Sequence, residues 1–120
     1  MASWDDIRAV ALGLPGAWEN SWYGEPCFQV GKKGFVQGFR GRCVMKLEKN
    51  HQELLFEARP EVFSPMVAGA LRWSWVEIEF LDAEEVATLV LEAWTQIVPK
   101  KVSRAYAEGR SPEPSDSGRG

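Results

Sequence analysis

The chain has 120 residues, 45% of them hydrophobic and 26% charged, with a formal net charge of −3. That is one domain, with enough apolar content (six tryptophans included) to bury a core without disulfides or metal, and it excludes disordered and collagen-like chains. Two cysteines build no disulfide framework, no apolar run reaches the roughly 18–20 residues that span a bilayer, and acids stand where a signal peptide needs base. A reduced, cytoplasmic domain is expected.

Ser3-Trp4-Asp5-Asp6 predicts a helix start, with Ser3 as N-cap and the acids facing the positive end of the dipole. Trp4, Ile7, Val10, Ala11 and Leu14 recur at helical spacing until Pro15-Gly16 ends the pattern. Ala17 to Pro26 reads as a loop whose Trp18, Trp22 and Tyr23 cover the edge of the core. From Cys27 the period is two, Phe28 and Val30 alternating with Cys27 and Gln29. Gly31-Lys32-Lys33-Gly34 turns the chain into Phe35 to Phe39, with a bulge expected at Gly38, and Arg40-Gly41 turns it again. In Arg42 to Glu48, Cys43, Met45 and Leu47 face one way, and Arg42, Lys46 and Glu48 the other. The segment predicts a three-stranded antiparallel meander with basic residues at its turns and on its outer face.

Asn50-His51-Gln52-Glu53 has capping-box spacing and opens a short helix through Leu54, Leu55 and Ala58 to Pro60. Residues 60–71 are irregular, with a short strand expected between 61 and 67. Trp73 to Phe80 alternates strictly, with Ser74, Val76, Ile78 and Phe80 toward the core and Trp73, Trp75, Glu77 and Glu79 on the other face. Asp82-Ala83-Glu84-Glu85 starts a helix whose buried stripe is Val86, Leu89, Val90, Ala93 and Ile97. After Pro99 a last turn places Val102, Ala105 and Tyr106 inward. The domain is expected to span 1–107, followed by a disordered tail over 108–120. This order predicts an α+β fold, an antiparallel sheet with helices packed on one side.

Charge is unevenly spread. Residues 31–50 hold Lys32, Lys33, Arg40, Arg42, Lys46 and Lys49 against Glu48, leaving eight basic residues against sixteen acids elsewhere. Such a stretch serves equally as the solvating surface of a hairpin or as an anion-facing patch. Lone His51 and the two cysteines lack zinc-ligand spacing, and Gly31-Lys32-Lys33-Gly34 lacks the length and ending of a phosphate-binding loop. Glu77 and Glu79 on one strand face read as solvated carboxylates before they read as an acid–base pair. Trp73 and Trp75, two apart on one face, have the spacing of a base-stacking pair, although aromatics on half-buried strands more often serve packing.

Leu14-Pro15-Gly16 after an amphipathic helix, then Glu19, Tyr23-Gly24 and Phe28-Gln29-Val30-Gly31-Lys32-Lys33, resembles the MmcQ/YjbR-like family of small bacterial proteins. The resemblance continues through Phe35, the Trp73 that opens Val76-Glu77-Ile78, and Ala93-Trp94 to Pro99-Lys100-Lys101, about residues 3–106. It implies a two-layer α+β sandwich similar in layout to frataxin and to type III secretion chaperones. It carries a DNA-binding label for the family, with no enzymatic activity and no small-molecule cofactor. One departure stands out: where many members carry His and Asn-Lys before the tryptophan strand, this chain has Val67-Ala68-Gly69-Ala70-Leu71-Arg72.

On this reading DNA is held by phosphate contacts from Lys32, Lys33, Arg40, Arg42 and Lys46, with Arg72 and the cluster Lys100, Lys101 and Arg104 extending the patch. The alternative is a protein partner docked on the outer face of the sheet, and a third reading is cation binding by the acidic helix and Glu77/Glu79, as frataxin suggests. No membrane partner is expected.

Overall fold

Three two-residue turns build the first half of the sheet. Tyr23-Gly24 and Arg40-Gly41 each hold positive φ at both positions (52° and 80°, 53° and 75°), the pairing whose twist matches the flanking strands. Gly31-Lys32 makes the turn between them, with Gly31 at φ 61°. These turns join β1 (Ala17–Trp22), β2 (Glu25–Val30), β3 (Lys33–Phe39) and β4 (Arg42–Met45) into a continuous antiparallel ribbon. The computed structural model describes residues 1–67 and 70–109, leaving aside the side chains at 67 and 70–72.

The remaining strands enter out of sequence. After α2 (Lys49–Ala58), β5 (Phe63–Val67) and β6 (Ala70–Val76) pair with each other, and β6 inserts beside β4. The six-stranded order is β1-β2-β3-β4-β6-β5. Register places Cys43 opposite Val76 and Val44 opposite Trp75.

One face of the sheet carries the core. Phe28, Val36, Cys43, Met45, Phe63 and Val76 meet Ile7 and Ala11 of α1 (Trp4–Ala11) and Val86, Val90, Ala93 and Trp94 of α3 (Ala83–Thr95). The Asp82–Glu85 capping box opens α3, Asp82 Oδ1 accepting from Glu85 N at 2.8 Å and Glu85 Oε1 from Asp82 N at 3.2 Å. A polar pair is sealed into this core: fully buried Gln52 donates through Nε2 to the Leu47 carbonyl (2.9 Å), and Ser74 Oγ donates to Gln52 Oε1 (2.5 Å). It ties α2 to β6. The last helix, α4 (Lys100–Ala107), docks Tyr106 edge-on against Trp94, whose indole donates to the Pro15 carbonyl (3.1 Å).

The α+β class and the antiparallel sheet with helices on it are as the sequence predicts. Several local expectations are corrected. Ala17 to Trp22 is a strand, not a loop; it is an exposed edge, so polar residues occupy both of its faces and mask the alternation. The bulge lies at Phe35, where register shifts opposite Phe28/Gln29, which lets Phe35 and Val36 both reach the core. Gly38 is needed for a different reason: a Cβ there would stand 3.1 Å from Glu25 Cβ and 3.2 Å from Pro26 Cδ. Helix α2 starts one residue before Asn50, capped by Glu48, whose side chain accepts from His51 N (3.0 Å). Strand β6 ends at Val76 and Ile78–Phe80 forms a single 3₁₀ turn, so Glu77 and Glu79 do not share a strand face. The expected tail lies outside the described residues from 110 onward.

Candidate functional site

The face of the sheet turned away from α1 and α3 is built by strand alternation. The register places Trp18, Asn20 and Trp22 of β1, Glu25, Cys27 and Gln29 of β2, and Gly34, Gln37 and Phe39 of β3 on it. Arg42 and Val44 of β4, then Trp73 and Trp75 of β6, continue it. This is a sheet surface rich in indoles, which sheets ordinarily bury. Trp22 remains 50% exposed and Trp18 44%.

The two carboxylates of this face are engaged. Glu25 accepts from the backbone N–H groups of Arg40 (2.8 Å) and Gly41 (3.0 Å), bracing the β3–β4 turn across from β2. Glu77, just beyond β6, pairs with Arg42, whose guanidinium lies 4.1 Å from the centroid of Trp75. Phe39 packs on the same indole with centroids 5.9 Å apart. Lys32, Lys33 and Lys46, by contrast, form no ion pair among the described residues. Lys32 and Lys46 therefore give the face cations without ion pairs beside committed anions, while Lys33, paired with Val30, stands at the same end on the side of the helices.

Between β1 and β6 the face dips into a cleft of about 280 Å³. Trp22 bounds it on the β1 side and Trp73 on the β6 side, with Gln29, Gly34 and Gln37 in its floor and Lys32 at its rim. The indole tip of Trp73 reaches across to β3: its Cη2 would lie 3.9 Å from a Cβ at Gly34. Asn20 Nδ2 donates to Gln29 Oε1 (2.8 Å), and Gln37 Oε1 accepts a long contact from the Cys27 thiol (3.9 Å). The Nε2 donors of both glutamines form no hydrogen bond among the described residues.

Of the basic residues expected to act together, the structure assembles only some. Lys32 sits in the β2–β3 turn, Lys33 opens β3, and Lys46 follows β4 with its N–H on the Phe35 carbonyl (3.0 Å), so all three share one end of the sheet. Arg40 lies in the next turn and Arg42 just after it, at the other end of β3, roughly 20 Å away for seven residues of strand. Lys100, Lys101 and Arg104 lie on α4, which docks on the helix layer through Tyr106 against Trp94. Arg72 belongs to β6, with its side chain outside the described residues. Residue reasoning missed Trp22, Gln29, Gly34 and Gln37. The signal for Trp22 was present in Tyr23-Gly24, a turn dipeptide that makes Trp18, Asn20 and Trp22 one face of a strand.

The thiols offer little chemistry. Burial pushes Cys27 up, and burial with the charge of Glu77 pushes Cys43 much further up, so both are held as thiols. No three His, Cys, Asp or Glu side chains converge as a metal site among the described residues. A second cleft, about 210 Å³, runs between α2 and α3 over Leu55, Phe63 and Leu89; its charged rim is self-paired, Arg59 to Glu85 at 2.9 Å. Beside it His51 Nδ1 donates to Glu92 Oε1 (2.6 Å), while Glu92 Oε2 accepts from Glu48 N (2.9 Å).

Comparison with known proteins adds to this geometry. The family model described as YjbR matches residues 12–96. A crystal structure of the Deinococcus radiodurans protein DR2400, with a DUF419 domain, superposes with a TM-score of 0.72 at 19% sequence identity, covering 94% of this chain and 92% of that one. That likeness is one of fold. No curated protein matches the chain.

Proposed function

The chain belongs to the YjbR family, and on that premise we propose that it is a non-enzymatic, cytoplasmic nucleic-acid-binding protein that meets DNA with the open face of its sheet. The observation that carries this reading is the contrast on that face between engaged carboxylates, Glu25 and Glu77, and Lys32 and Lys46, which form no ion pair among the described residues, with Lys33 beside them at the same end of the sheet on the side of Val30. A protein with net charge −3 repels a polyanion everywhere except where cations are concentrated and uncompensated. The lysines then act as phosphate contacts, which position a strand without reading its sequence. Arg40 and Arg42 at the far end of β3 provide a second point of contact, weakened at Arg42 by its ion pair.

Fluorescence anisotropy of a labelled DNA oligomer, titrated at low and near-physiological salt, tests this. Three lysine–phosphate contacts give a slope of about −2 to −3 in log affinity against log salt. Lys32→Glu/Lys33→Glu should lower affinity at least tenfold at low salt. Absence of binding at low salt, or unaltered affinity in the variant, refutes the reading.

A second reading, docking of a protein partner, draws on the bare edge of β1. The opposite edge, β5, is guarded by Pro65 and a register shift, whereas β1 carries neither and ends in exposed Trp22 and Tyr23. DNA binding lost in the lysine variant would count against it.

A further inference from the structure

We propose that the cleft between Trp22 and Trp73 receives one unpaired nucleobase, so that the preferred partner is a single strand rather than a duplex; this rests on the nucleic-acid reading above. The cleft combines three features that suit a base. Its walls are indoles, and every base has a π-face that stacks on an aromatic ring. Its floor is uncharged and holds amide donors: Gln29 and Gln37 line it, and with their Oε1 atoms taken by Asn20 and Cys27 their Nε2 groups form no hydrogen bond among the described residues. Its rim carries Lys32, which has no ion pair among the described residues and is placed to meet the phosphate attached to a seated base.

Among the described residues, no carboxylate lines the cleft. The volume, about 280 Å³, is at the small end for ligand pockets, which suits one ring system and not a base pair. Gly34 keeps the floor open, since a Cβ there would enter the space beside Cys27 Sγ at 3.4 Å and Trp73 at 3.9 Å. In a duplex both faces of a base are covered by its neighbours, so the cleft is filled only by a base already out of the stack. Two amide donors with no partner among the described residues favour a base that offers acceptors. Thymine presents two carbonyl oxygens, whereas adenine presents an amino donor at its edge.

The test compares four probes at one salt concentration: a dT oligomer, a dA oligomer, an abasic strand of equal length, and a duplex. The wild type should bind the dT oligomer at least tenfold more tightly than the abasic strand or the duplex, and more tightly than dA, with quenching of tryptophan fluorescence. Trp22→Ala, at a half-exposed position, should erase the advantage of dT over the abasic strand while leaving the salt-dependent binding of both. Gln29→Glu, which puts a carboxylate in the floor without removing an indole, should do the same. Equal binding of dT and abasic strands, both weakened by Lys32→Glu/Lys33→Glu, overturns the base cleft and leaves phosphate binding standing. Failure of every strand overturns the underlying reading as well. Displacement of the dT oligomer by thymidine monophosphate at equal base concentration assigns the cleft to a free nucleotide and overturns the strand proposal.

Discussion

Gln52 carries more structural consequence than any other polar side chain in the core. Its amide satisfies the Leu47 carbonyl between β4 and α2 and the Ser74 hydroxyl in β6, both from a fully buried position. Gln52→Ala removes those partners and opens a cavity, so unfolding in urea should show a loss of about 2–4 kcal/mol, against about 1 kcal/mol for Ser74→Ala. The exposed pair of Arg8 and Glu19 behaves differently. The hydrogen bond from Arg8 holds the Glu19 carboxyl below its ordinary range, outweighing the opposing effect of burial. A depressed carboxyl adds stability above its unfolded pKa and loses it as pH falls through the folded one. Thermal melts should therefore place Glu19→Gln slightly below wild type near neutral pH, with the gap closing by about pH 3.

Among the elements, the turns of the ribbon show where physics and composition disagree. Gly24 and Gly41 occupy positive φ at no steric cost, but Tyr23 and Arg40 hold φ 52° and 53° with side chains that disfavour it. Contacts offset part of that cost: Tyr23 packs on Trp22 with centroids 5.4 Å apart, and Arg40 lies 5.3 Å over Phe39. Asn adopts this backbone more readily and is the favoured partner of Gly in such turns. Arg40→Asn should stabilise the protein by about 0.5 kcal/mol in chemical denaturation, while Gly41→Val should cost about 1 kcal/mol or more. The same turns explain which strands were legible. β2, β3 and β4 stand out because core residues alternate with polar ones, as Phe28 does with Cys27 and Gln29. β1 was hidden because only its backbone, and not a buried stripe, commits it to the sheet.

At the scale of the molecule, layer order and helix caps were readable because they are local: a capping box and a buried stripe specify α3 wherever it packs. The cleft was not readable, because its members come from β1, β2, β3 and β6 and meet only through register. The basic residues 31–50 looked like one patch in sequence. Antiparallel hairpins put successive turns at opposite ends, and that divides Lys32 and Lys33 from Arg40 and Arg42.

The insertion of β6 between β4 and β5 also has a consequence for synthesis. The ribbon of β1 to β4 is complete once Met45 has left the ribosome, yet the strand that covers β4 ends at Val76. At about 5–20 residues per second this interval lasts on the order of seconds. Throughout it, β4 is the growing end of a nascent sheet, with Val44 uncovered. Arg42 and Lys46 bracket that bare strand, and their charges keep it from pairing with a neighbouring chain on the same message until β6 arrives.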